Sequence, residues 1–257
     1  MRVNGVFFKI KHAVQAQNIF RHLVRRAEDI GMRVNTSKMA MLCVSDAQAY
    51  EADAFMLDAE GFRIGCQKLI KALGMHFSSM PDMWEQVLSI KKKFQARYWM
   101  LRNLKKSGFT SQELVTVYRT MIRPVADYGA VVYHSSLTDQ QDELLDGLQN
   151  GALRCIFEPG LSGRKMRDLA EVVTLRSRRE EQCDKFARKC SVNPLFARYF
   201  PLKMARTSAR NGKQTEVYLE SKARCERLHN SPFFYFRRRL NGKEGKKYGL
   251  RNAEYRI

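Results

Sequence analysis

Apolar positions along this chain follow two different periods. Through residue 80 they come as short runs separated by turn residues, and from Asp82 onward they recur three and four residues apart. The first regime predicts α+β structure. Residues 6–10 (VFFKI) suit a strand, and residues 13–30 predict an amphipathic helix with Ala16, Ile19, Leu23, Ala27 and Ile30 on one stripe. Gly31 stands where a helix-ending left-handed residue belongs. One helix with short antiparallel strands is therefore expected, the strands falling at 39–44, 54–57, 62–64 and 69–77. Residues 58–61 (DAEG) supply the turn between the middle two.

The second regime opens with Val87, Ile90, Phe94, Tyr98, Leu101 and Leu104, the apolar stripe of one long helix. Thr110 and Glu113 then form a capping box for a helix whose inward stripe, expected in the core, is Leu114, Val117, Tyr118 and Met121. Pro124 ends that run and biases Arg123 away from the helical region, so a bend is expected before Tyr128, Val131 and Val132 resume the pattern. A second capping box, Thr138 with Gln141, starts a helix with Leu145, Leu148, Ala152 and Ile156 inward, closed by Pro159 and Gly160. Further helices are predicted at 165–175 and 177–190, after which Pro194 and Pro201 interrupt the periodicity. Residues 202–214 are basic and poor in large apolar side chains, which predicts a flexible segment. Three regions result: an α+β part (1–80), a mainly α-helical bundle (81–164) and a basic, partly irregular C-terminal region (165–257).

Charge narrows the choice of partner. The 257 residues hold 46 Lys and Arg against 26 Asp and Glu, a net charge of +20. Residues 165–257 alone hold 24 basic and 10 acidic side chains. Such an excess attracts a polyanion, and with no base-reading motif beside it the expected partner is RNA or DNA bound without sequence preference. No apolar run approaches the 18 or so residues of a spanning helix, and the first residues contain no signal-peptide core, so an intracellular protein without a membrane partner is expected. The candidate phosphate contacts are Lys91, Lys92, Lys93, Arg97, Arg102, Lys105 and Lys106 beside the long apolar stripe, Arg178 and Arg179, and Arg237, Arg238 and Arg239. The last three follow the aromatic run Phe233, Phe234, Tyr235 and Phe236, which suits either an anchor on a core or a base-stacking platform. The six cysteines lack zinc-site spacing and are expected to be reduced thiols, with Cys183 and Cys190 on one helix face.

Tyr118, Ile122, Pro124, Tyr128, Gly129, Leu148, Gln149, Ala152, Leu153, Arg154 and Ile156 together resemble the thumb and post-thumb region of non-LTR (LINE-type) retrotransposon reverse transcriptases. Tyr133 stands where that family usually has tryptophan. Upstream, Gly31 through Lys38 is similar to the stretch after the polymerase active site, and Leu73 with Gly74 is similar to the turn of the primer-gripping hairpin. Downstream, Arg178, Arg179, Phe186 through Cys190, Arg227 through Pro232, and Leu240 with Asn241 resemble the family's terminal segments. The resemblance spans residues 5–242. It implies a palm remnant, a thumb and a basic nucleic-acid-binding end, and it places Lys38 near the phosphates of an incoming nucleotide.

Family activity is RNA-directed DNA polymerisation with Mg²⁺, which needs carboxylates holding two metal ions about 4 Å apart. The chain has no Asp-Asp pair, and its sequence opens where the hairpin bearing that pair would lie. No metal or other cofactor is therefore expected in this chain, and no catalysis unless an upstream polymerase fragment supplies the carboxylates. Lys38 then serves as a surface lysine. Two other readings remain: a stand-alone basic α-helical RNA-binding or protein-adaptor module, and a pseudogene product without selected function.

Overall fold

The computed structural model describes residues 13–35, 38–42, 56–59, 62–79, 82–202, 218–219 and 230–242. Two compact units divide the chain, Met1–Met80 and Pro81–Ile257. The strand expected at 6–10 and residues 203–214 of the expected flexible segment lie outside the described residues.

In the first unit, helix α1 (Ala13–Asp29) buries Ala16, Phe20 and Val24. The buried stripe is shifted by one residue from the expected one. Phe20, the largest apolar side chain of that face, sets the centre of the buried strip, leaving Ile19, Leu23 and Ala27 half-buried and Ile30 exposed. Gly31 ends the helix as expected: at φ 71° its N–H donates to Glu28 O, while Met32 N–H donates to Ala27 O. This double bond pattern satisfies two of the orphan carbonyls at the helix end.

The strands are β1 (Met41–Leu42), β2 (Met56–Ala59), β3 (Phe62–Gln67), β4 (Leu69–Ala72) and β5 (Met75–Ser78). Asp58 and Ala59 pair with Arg63 and Phe62, so they belong to β2 and not to the expected turn. The sheet order is β1-β3-β2, which makes β1 parallel to β3 where antiparallel pairing was expected. β3 lies between the other two, antiparallel to β2 and parallel to β1, so β1 and β2 run in opposite directions. The inward residues Leu57, Ala59 and Ile64 meet Ala16, Phe20 and Val24 to form the unit's core. The segment expected as one strand at 69–77 is a hairpin of β4 and β5, reversed at Leu73 and Gly74 with φ 49° and 77°. Two positive φ values give the turn that matches strand twist.

The second unit is helical: α2 (Trp84–Lys106), α3 (Ser111–Val117), α4 (Pro124–Asp127), α5 (Ala130–Tyr133), α6 (Asp139–Ile156), α7 (Gly163–Leu169), α8 (Leu175–Ser191) and α9 (Pro232–Leu240). Its centre is the pairing of α2 with α6, where Val87, Ile90, Phe94 and Leu101 meet Leu145, Leu148, Ala152, Leu153 and Ile156. Both capping boxes are present, Thr110 with Glu113 and Thr138 with Gln141. The helix expected at 165–175 is shorter and ends at Leu169, because Thr174 caps α8 by accepting a hydrogen bond from Ser177 N–H.

Pro124 produces a different device from the expected bend. Residues Tyr118–Ile122 form a π turn closed by Arg123 N–H donating to Tyr118 O, and Arg123 itself stays helical at φ −54°, ψ −40°. A proline cannot donate to the carbonyl four residues back and crowds it, and widening the preceding turn relieves both problems. The inserted residue rotates the face: Ile122 is buried and Met121 is 53% exposed, against the expectation that Met121 is core. Around the left-handed Gly129, Ala130 and Tyr133 are buried and Val131 is half-buried against the core, whereas Tyr128 and Val132 face outward.

Two glycines of α6 differ in their surroundings. A Cβ added at Gly147 would meet nothing within 4 Å, whereas one added at Gly151 would lie 2.9 Å from the Tyr98 hydroxyl, which donates to Leu148 O. Gly147→Ala should therefore raise stability by about 1 kcal/mol through helix propensity alone. Denaturant unfolding should show that gain for Gly147→Ala and none for Gly151→Ala; equal gains would mean that α2 and α6 do not approach closely at Gly151.

Candidate nucleic-acid interface

Helix α2 carries seven cations and one acid, Glu85. Its inward face is fixed by Val87, Ile90, Phe94 and Leu101, so the opposite face is exposed by construction. Arg97 and Lys105 do not serve that exposed face. Arg97 donates to Met121 O, a carbonyl of the π turn, and Lys105 Nζ donates to Ile156 O at 2.8 Å and Phe157 O at 3.3 Å, closing the end of α6. These two cations satisfy backbone acceptors left over at irregular helix ends. Lys91, Lys92, Lys93, Arg102 and Lys106 make no ion pair with any described residue. Lys92, Lys93, Arg102 and Lys106 are exposed.

Trp99 shares the exposed face at 69% exposure and is not among the expected contacts. Its signal is present in the sequence, since Leu88, Lys92, Gln95, Trp99, Arg102 and Lys106 follow one another at helical spacing. At 100° per residue these six lie within about 40° of one line down the helix.

The arginines expected to touch phosphate near the C-terminus are placed elsewhere. Arg179 is 0% exposed and donates from Nη2 to Asp142 Oδ1 at 2.7 Å across α8 and α6. A phosphate cannot reach it. Arg178 is half-buried, with Nε 3.6 Å from Asp127 and Nη1 3.4 Å from Glu181. Arg237 is 7% exposed, donates from Nη1 to Leu219 O at 2.9 Å and lies 4.2 Å over the Phe234 ring. Arg239 grips Asp184 with two bonds of 2.8 and 2.5 Å, and Arg238 between them is half-buried. Bidentate and stacked arginines of this kind fix one element on another.

That element is α9, and its aromatic run is an anchor. Tyr235 and Phe236 are buried against Cys183, Ala187, Cys190 and Phe200, the Tyr235 hydroxyl lies 3.1 Å from His134 Nε2, and Phe233 stacks on Tyr199. Burial pushes the Cys183 thiol up to about 12, so it stays protonated and packs as a small apolar group. Cys190 is likewise buried, as expected of core thiols, whereas Cys66 is disulfide-bonded and not the expected free thiol. Burial also raises the Tyr98 hydroxyl to about 12 and drives those of Tyr118 and Tyr133 higher still, which keeps all three protonated, Tyr98 donating to Leu148 O and Tyr133 to Ala126 O.

In the first unit, Lys38 is exposed and its backbone N–H donates to Asn35 O. Leu73 and Gly74 form the hairpin tip, with Leu73 73% exposed in a left-handed conformation that costs a non-glycine residue about 1 kcal/mol. Among the described residues no group of three His, Cys, Asp or Glu side chains is placed to hold a metal ion, and no helix is long and apolar enough to cross a membrane.

Comparison of the chain with protein-family models, with curated proteins and with solved structures finds no match.

Proposed function

We propose that this chain is a nucleic-acid-binding relative of the C-terminal part of non-LTR retrotransposon reverse transcriptases, holding RNA or DNA without catalysing polymerisation. The observation that carries the reading is the exposed face of α2. There Lys92, Arg102 and Lys106 stand without an ion-pair partner among the described residues, while Arg97, Lys105, Arg179, Arg237 and Arg239 hold carbonyls or carboxylates. Supporting it are the order of the resembling segments and the α+β character of the first unit, with an exposed hairpin tip at Leu73 and Gly74. The helical unit would act as a thumb lying along the nucleic-acid backbone. The chain's own sequence offers no Asp-Asp pair to hold the two metal ions that phosphoryl transfer needs.

Purified chain should bind both single-stranded RNA and duplex DNA, each without sequence preference, with affinity falling as salt rises because each neutralised phosphate releases counterions. The same preparation should extend no primer on either template with Mg²⁺ or Mn²⁺. Filter binding and a gel-based extension assay check both halves. Salt-independent binding would remove the phosphate contact, and extension would show that carboxylates of this chain do hold catalytic metal.

A further inference from the structure

We propose that Trp99 is a base-stacking post for single-stranded nucleic acid, set in a cationic ridge made by Lys92, Arg102 and Lys106. The inference rests on the nucleic-acid reading above and adds the strand state and the contact that selects it. Trp99 leaves 69% of its surface exposed in the middle of a 23-residue helix whose inward face is filled by other residues. An indole contributes little to the fold from such a position. Arg102 follows it by one turn and Lys92 and Lys106 flank it by two, which places cations on both sides of the ring.

From Lys92 to Lys106 the ridge runs about 21 Å at 1.5 Å per residue. A single strand laid along it meets cation, aromatic face, then two cations, the combination by which proteins hold unpaired strands. Bases in a duplex are already stacked and offer their edges, so the ring gains a partner only from an unpaired base. A membrane surface suits this face less well. The exposed apolar residues of this face are Trp84 and Leu88, one turn apart, and Trp99 eleven positions further on with Lys92 between, whereas an interfacial helix buries a continuous apolar side, and that side of α2 is already buried against α6.

The test compares the full chain with Trp99→Ala, Trp99→Phe and Lys92→Ala/Arg102→Ala/Lys106→Ala. Binding is measured to a short oligothymidylate, to the same strand annealed to its complement, and to phosphatidylserine vesicles. The expected result is a loss of about 5- to 100-fold for the single strand in Trp99→Ala, partial rescue in Trp99→Phe, and duplex affinity unchanged in both. In a Trp84→Phe background, where Trp99 is the remaining indole, the oligothymidylate should quench fluorescence. Equal loss for strand and duplex, or wild-type affinity in Trp99→Ala with weakening confined to the triple variant, would overturn stacking and leave the basic ridge standing. Wild-type binding by the triple variant as well would overturn the nucleic-acid reading of α2 itself. Loss of vesicle binding alone in Trp99→Ala would overturn the proposal and reassign the ridge to a membrane.

Discussion

Arg179→Ala is expected to cost about 3–5 kcal/mol of unfolding free energy, the largest single effect outside the apolar core. The guanidinium is fully buried and Asp142, its partner at 2.7 Å, is 2% exposed. Removing the arginine leaves a carboxylate committed to the interior, and Arg176, 3.9 Å away and partly exposed, is too distant to replace the bond. The pair need not be better than apolar packing. Nε and Nη1 of Arg179 find no hydrogen-bond partner among the described residues. Arg179→Met combined with Asp142→Leu should therefore recover most of the loss. Urea unfolding of the single and double variants decides the matter: a single-variant loss under about 1 kcal/mol would mean that Arg179 reaches solvent, and would return it to the candidate phosphate contacts.

Leu145→Ala should cost about 2–5 kcal/mol, because truncating a buried leucine loses transfer free energy and leaves a cavity between α2 and α6. Leu145 is 0% exposed, as are Phe94 and Ile156 in the same interior. The substitution also sets a scale for Met121→Ala. Since the π turn carries Met121 to 53% exposure, that change should cost less than about 0.5 kcal/mol. Comparable losses at the two positions would place Met121 in the core and remove the π turn.

Sequence period alone located the long helices because each has an apolar stripe of several turns, and in α6 a capped start as well. Thr138, Gln141 and the inward set Leu145, Leu148, Ala152 and Ile156 were all legible this way. The π turn was not, since one inserted residue changes the phase without changing composition; only Pro124 hinted at it. In α1 the stripe was misplaced for a milder reason. Ile19 and Leu23 satisfy the period as well as Phe20 and Val24 do, and tertiary packing against Leu57 and Ile64 chose between them.

The candidate interface was harder to see than the fold. Charge counting favoured the C-terminal region, yet Arg179, Arg237 and Arg239 are engaged inside it with Asp142, with Leu219 O and Phe234, and with Asp184. Arginine buries readily when a carboxylate or carbonyl meets its donors, and nothing local in the sequence announces a partner dozens of residues away. Gln149 makes the same point for a neutral side chain. Buried in α6, it donates to Val173 O and accepts from Leu175 N–H, tying down the approach to α8. On α2 the reverse held: cations flanking an apolar stripe predicted a polar outer face, and the face is there, with Trp99 added to it.

If the outer face of α2 carries phosphate contacts, the salt dependence of single-stranded RNA affinity must differ between the full chain and Lys92→Ala/Arg102→Ala/Lys106→Ala. Each phosphate neutralised on a single strand contributes about −0.7 to the slope of log affinity against log salt, so losing three contacts should flatten it by about 2. A triple variant with the wild-type slope would contradict the account.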